Sequence, residues 1–220
     1  MKPTYFRLLL SSLLFSLLGC ERVIDLDLKE ATPQYVIEGY LTNQRNAWTV
    51  YVSRTQNFKA VEGFNGVSGA NVEIESQGKV FVLPEIAKGI YQHKPEAGVP
   101  GQTYQLRVKV DNSVFTASSK MPRAAKYAEL KYNKEASTAD RTIVTAVYQD
   151  IPETSDFYRL EQYVNNIKLS GYDVTNDEFT GGMNVSKDII FKNSLNNGSY
   201  MIKSGDKIRV DMNCIDPSAY

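Results

Sequence analysis

Pro100-Gly101-Gln102-Thr103-Tyr104-Gln105-Leu106-Arg107-Val108-Lys109-Val110-Asp111-Asn112-Ser113 is the stretch whose reading decides the fold class. Between a Pro-Gly turn and an Asp-Asn-Ser turn, Tyr104, Leu106, Val108 and Val110 alternate with Gln105, Arg107 and Lys109. A period of two sends the apolar set to one face of a strand and the polar set to the other, whereas a helix would scatter both around its surface. The stretch therefore reads as a half-buried β-strand.

The same pattern recurs outward from it. Downstream, Val114–Ser118 forms a further strand, and Met121-Pro122 closes the unit. Upstream, Gly89-Ile90-Tyr91 begins a short strand. Lys79–Leu83 lies behind the Gln77-Gly78 turn, and Val72 and Ile74 alternate with Asn71, Glu73 and Glu75. Farther back, Tyr35, Ile37 and Leu41 share one face against Glu38 and Thr42. After the polar turn Asn43–Asn46, Trp48, Val50 and Val52 alternate with Thr49, Tyr51 and Ser53, which makes a hairpin. About seven strands in about 90 residues, with turns every 8–12, predict an immunoglobulin-like β-sandwich over residues 34–122. The Cys…Trp…Cys signature of antibody domains is absent.

Residues 123–127 read as a linker, and Ala124–Lys134 fits either a weak helix or a strand. Residues 123–220 then form a second β-rich domain. Its strands fall at Thr142–Tyr148, Phe157–Val164, Asp188–Phe191 and Lys207–Met212, and Ser170–Lys187 reads as a long polar excursion. These strands are too few to close a sandwich, so the second unit is expected to be incomplete and the chain a truncated form of a longer protein. The fold class is thus all-β.

The chain opens differently. Lys2 and Arg7 precede an unbroken small or apolar run from Leu8 to Gly19, about a dozen residues. That is short of the roughly 20 a spanning helix needs and suits the apolar region of a signal peptide, residues 1–19. Leu17-Leu18-Gly19-Cys20 resembles the lipobox of bacterial lipoproteins: the thiol takes the lipid as a thioether, and Gly19 leaves the peptidase room. Cys20 is the expected lipidation site. Acyl chains contribute roughly 0.8 kcal/mol per buried methylene, and residues 20–33 form the tether. After Cys20 the sequence contains no second apolar run of spanning length.

Loss of residues 1–19 removes Lys2 and Arg7 from 25 basic residues and nothing from 25 acidic ones, leaving a formal charge of −2. Nucleic acid, which favours a clustered basic surface, is not an expected partner. With Cys20 lipidated, Cys214 is the remaining cysteine and is expected to be a small buried residue; dimerisation through it is the alternative. An intrachain disulfide and a Cys/His metal site are excluded. The 14 Tyr and 9 Phe suit sheet packing, or an exposed aromatic platform for sugars or a protein partner.

Several stretches resemble the lipoproteins grouped as domain of unknown function 4249 (DUF4249), known from Bacteroidota. They are Cys20–Leu28, Tyr35–Asn43, Val67–Ile74, Gly101–Val108 and Ala117–Pro122, with Asp150–Tyr158 and Asp188–Phe191 in the second half. The resemblance implies an envelope lipoprotein, often encoded near TonB-dependent outer-membrane transporters. It implies no catalytic residues, and members continue past the point where this chain stops.

Chemistry-bearing residues are few. His93, in His93-Lys94-Pro95-Glu96, is the sole histidine and is expected on an exposed turn rather than as a triad base, since no Gly-x-Ser-x-Gly elbow occurs. No carboxylate pair has a recognisable glycosidase context. Asp173, Asn176, Asp177 and Glu178 share one polar loop and offer oxygen ligands for calcium, but lack the EF-hand order, so a solvated loop is expected. Asn184-Val-Ser and Asn197-Gly-Ser match the glycosylation tripeptide, which carries little meaning in a bacterium. No cofactor or metal is expected.

The expectation is a non-enzymatic, lipid-anchored outer-membrane protein that binds a TonB-dependent transporter or its cargo through the Gln56–Gly69 and Ser170–Lys187 loops. The alternatives are a structural or adhesive surface protein and a carboxylate-dependent hydrolase. After Cys20, Glu21 is followed by Arg22, Val23 and Ile24, a poor match to the acidic cluster of surface-displayed lipoproteins, so the cell surface and the periplasmic face of the outer membrane both stay open.

Overall fold

The computed structural model describes residues 32–45, 48–57, 63–94, 97–134, 142–152, 155–178, 180–193 and 198–219. The predicted signal peptide, Cys20 and the tether up to residue 31 lie outside the described residues. Among the described residues no helix is long and apolar enough to cross a membrane.

Eight antiparallel strands build the first unit: β1 (Tyr35–Tyr40), β2 (Trp48–Arg54), β3 (Asn71–Ser76), β4 (Lys79–Leu83), β5 (Glu85–Ala87), β6 (Ile90–His93), β7 (Thr103–Val110) and β8 (Ser113–Lys120). They form two four-stranded sheets, ordered β1-β2-β6-β5 and β4-β3-β7-β8. Lettered A, B, C, C′, D, E, F and G along the chain, the sheets read A-B-E-D and C′-C-F-G, which is immunoglobulin-type order. Alternation fixes which side of each strand is buried. Trp48, Val50, Val52 and Tyr91 from one sheet meet Val72, Ile74, Leu83, Tyr104, Val108 and Val110 from the other in a single core. Trp48 bridges the sheets, edge-on to Phe81 at 5.0 Å and to Tyr104 at 5.5 Å between ring centroids.

Gln77 and Gly78 both have positive φ, and Ser76 faces Lys79, so this two-residue loop carries the backbone twist that antiparallel strands require. Asn165-Asn166 repeats the device between Val164 and Ile167.

The second unit comprises β9 (Lys126–Lys134), β10 (Thr142–Gln149), β11 (Phe157–Val164), β12 (Ile167–Asn176), β13 (Asn184–Ile189), β14 (Lys192–Asn193), β15 (Gly198–Ser199) and β16 (Ile208–Ile215). Sheets β13-β10-β9 and β12-β11-β16 share a core of Val144, Ala146, Leu160, Val164, Leu169, Ile189 and Phe191, and β14-β15 is a short ribbon. Ile208, Val210 and Met212 on the edge strand β16 are only half-buried against that core.

Four expectations are corrected. Of Ala124–Lys134, open between helix and strand, Lys126–Lys134 is strand, so β9 takes Lys126 and Tyr127 from the expected linker. Ser170–Lys187 is not one polar excursion. β12 runs through it to Asn176 and β13 starts at Asn184, leaving a short turn between. The alternation there is inverted: Tyr172 and Val174 are exposed while Asp173 faces inward, accepting a hydrogen bond from Nε2 of the fully buried Gln162 at 3.0 Å. Third, β16 extends past Met212 and carries Cys214. Fourth, His93 is not on a turn but ends β6, paired with Trp48.

The units meet through short-range contacts. Ser119 Oγ donates to Asp216 Oδ2 at 2.6 Å across the boundary, and just inside the second unit the Ala125 N–H donates to Cys214 Sγ at 3.4 Å. The final 3₁₀ turn, Pro217–Ala219, lies over the open side of the first sandwich. There it helps line a cavity of about 440 Å³ with Tyr35, Ile37, Leu106 and Phe115.

Candidate functional site

On β1 and β2, the residues opposite the core side point outward together. Cross-strand register sets Glu38 against Tyr51 and Tyr40 against Thr49. Tyr40 and Tyr51 meet edge to face at 5.9 Å, and Tyr51 meets Phe64 at 5.8 Å. Tyr40 is 54% exposed and Phe64 51%, so the three rings form a ridge open to solvent. The depression they bound with Glu38 and Thr49 measures about 470 Å³.

The polar groups around the ridge are fixed. Tyr40 Oη donates to Glu38 Oε1 at 3.4 Å, and Gln92 Nε2 donates to Thr49 Oγ1 at 3.1 Å. Partial desolvation, and then the Glu38 charge, raise the Tyr40 pKa, while the Arg159 guanidinium of the second unit lies near enough to oppose them. Tyr40 is therefore a neutral donor across the physiological range. A ridge of this kind suits stacking on a sugar ring or an apolar protein edge, with Glu38 as acceptor.

Phe64 belongs to the Gln56–Gly69 loop, which is anchored at its base. Val67 N–H donates to Val52 C=O at 2.8 Å, Val52 N–H to Gly89 C=O at 2.9 Å, and Arg54 N–H to Asn65 C=O at 3.1 Å. A Cβ on Gly89, whose φ is +71°, would sit 2.5 Å from Gly66 Cα, so both glycines are required by this close approach. Glu85 closes the seat, accepting from the Gly69 and Gly89 N–H groups at 3.0 Å each. The Gly69 bond, followed by that from Ser68, holds its carboxyl below the ordinary range.

The other sequence candidates separate. His93 is half-buried with its ring 6.4 Å from Trp48 and 5.7 Å from Phe81, at the aromatic end of the core. Cys214 is a free, half-buried thiol whose pKa burial pushes up, against the Ala125 N–H bond that lowers it. Asn184 is exposed, and Asn197 lies outside the described residues. The four calcium candidates do not converge: Asp173 faces Gln162, Asn176 pairs with Phe157, and Glu178 is exposed. Asp177 instead turns inward beside Asp150 and Asp156. Neither of those two carries a sequence signal, because the three reach one point from separate strand ends. The ridge was likewise invisible, since cross-strand register, not spacing, assembles it.

The family model described as Domain of unknown function (DUF4249) matches residues 21–220. No curated protein matches the chain.

Proposed function

We propose that this chain, which belongs to the DUF4249 family, is a lipid-anchored outer-membrane protein of the Bacteroidota type that binds rather than catalyses. Its role would be that of an accessory to TonB-dependent uptake. The observation that carries this reading is Leu17-Leu18-Gly19-Cys20 behind a signal-length apolar run. An all-β body carrying the Tyr40–Tyr51–Phe64 ridge supports it, because binding groups concentrate where a loop is held on a rigid sandwich.

The test is crosslinking of the full lipoprotein in native outer membranes, followed by mass spectrometry of what is captured. A TonB-dependent transporter in roughly stoichiometric amount supports the accessory role. Capture of the lipoprotein alone, or only of its own copies, removes that role and turns the reading to a structural or adhesive protein. The ridge itself is tested by Tyr40→Ala with Phe64→Ala, which is expected to cut capture at least about 10-fold without unfolding the sandwich.

A further inference from the structure

Asp150 follows β10, Asp156 precedes β11 and Asp177 follows β12, so antiparallel pairing brings all three to one end of the second unit. Their residues are 1%, 7% and 5% exposed, and one carboxylate oxygen from each lies within 4.8 Å of the others. From this convergence we infer that Asp150, Asp156 and Asp177 form a binding site for a hard divalent cation, calcium, that ties β10 of one sheet to β11 and β12 of the other.

Asp150 is aimed by its neighbours. Tyr158 Oη donates to Oδ1, and Thr180 Oγ1 donates to Oδ2 at 3.0 Å, leaving each oxygen a further lone pair. Donors that orient a ligating carboxylate are the usual outer layer of a metal site. Asp177 supplies the independent observation. Its residue is more than nine-tenths buried, its carboxylate points into the cluster, and among the described residues that carboxylate, unlike the backbone carbonyl that takes the Thr180 N–H, has no hydrogen-bond donor and no Lys or Arg partner. A buried, unpaired carboxylate is costly, and two more beside it add repulsion. One cation answers both costs.

The donor set selects the ion. The three clustered ligand atoms are all carboxylate oxygens, and the Cys214 thiol is not among them, so a hard cation is favoured over zinc. Magnesium keeps several waters and demands an octahedron, while calcium accepts irregular oxygen shells at about 2.3–2.6 Å. The inference does not depend on the partner proposed above.

Thermal melting of the EDTA-stripped full-length mature protein tests it, with CaCl2, MgCl2 or NaCl added at matched ionic strength. Terbium(III), which occupies calcium sites, provides a second readout through emission sensitised by Tyr148 and Tyr158. Calcium is expected to raise Tm saturably by more than about 5 °C and to quench the terbium emission; magnesium and sodium are not. Asp177→Asn should weaken both responses at least about 10-fold, yet melt no lower than wild type without metal, because it removes like-charge repulsion. Should that variant fail to fold, Asp156→Asn takes its place. No calcium shift and no emission, equal responses in the variant, or a magnesium shift matching that of calcium would each overturn the assignment.

Discussion

Tyr148 and Tyr158 are nearly inaccessible to solvent, 5.1 Å apart between ring centroids, beside the three aspartates. Burial, then the Asp150 and Asp177 charges, push the Tyr148 pKa up to about 12, and the Tyr158 pKa is raised by burial and its bond to Asp150. An unfolded tyrosine ionises near 10, so above that pH the unfolded chain loses protons the folded one keeps. The stabilisation is whole below pH 10 and is lost as pH rises toward 12, with a slope of up to about 1.4 kcal/mol per unit for Tyr148. Urea melts of the EDTA-stripped protein between pH 9 and 11.5 should show this decline, and Tyr148→Phe should make it shallower, with Tyr158 supplying what remains; parallel profiles would refute the assignment. At this scale the sequence was least legible. Asp177 could be singled out for its polar surroundings, but Asp150 and Asp156 reach it only through strand pairing. His93 looked like a turn residue because Lys94-Pro95 follows it, although Ile90–His93 is held in β6 by Trp48–Tyr51.

Among elements, the seat of the Gln56–Gly69 loop decides whether Phe64 stands on the ridge. Gly89→Ala forces a Cβ against Gly66 and Val52 C=O at a positive φ. It is expected to cost more than about 1 kcal/mol and to weaken partner capture together with stability. Chemical denaturation and capture, measured side by side, check both. Trp48→Ala removes the ring that joins the sheets and should cost about 3–5 kcal/mol, read as a lower urea midpoint with unchanged slope. Strands with apolar residues on the core side, such as Tyr104–Val110 and Trp48–Val52, could be read directly, with their turns. β12 could not, because Asp173 and Thr175 occupy its inward positions while Tyr172 and Val174 face solvent. Leu169 at its start joins the core, but farther along the inner face is satisfied by the Asp173–Gln162 hydrogen bond rather than by apolar contact. β5 was missed because its three residues are all exposed.

For the whole molecule, two sandwich-like units with separate cores follow a signal-length segment and a short charged stretch. The proposed account requires that the β body be held at a membrane by Cys20, so that the ridge meets a partner lying in that membrane. Cys20→Ser should release the protein from membrane to soluble fractions, read by immunoblotting after fractionation. The all-β class was legible because alternation and turn residues are local signals. The pairing order that makes the first unit immunoglobulin-like is set by contacts far apart in sequence.

Mass spectrometry of the mature N-terminal peptide from native membranes tests the anchoring claim most directly. The account predicts a chain that begins at Cys20 and carries the added mass of several acyl chains. A chain that keeps Met1, or one cleaved with Cys20 unmodified, would contradict it.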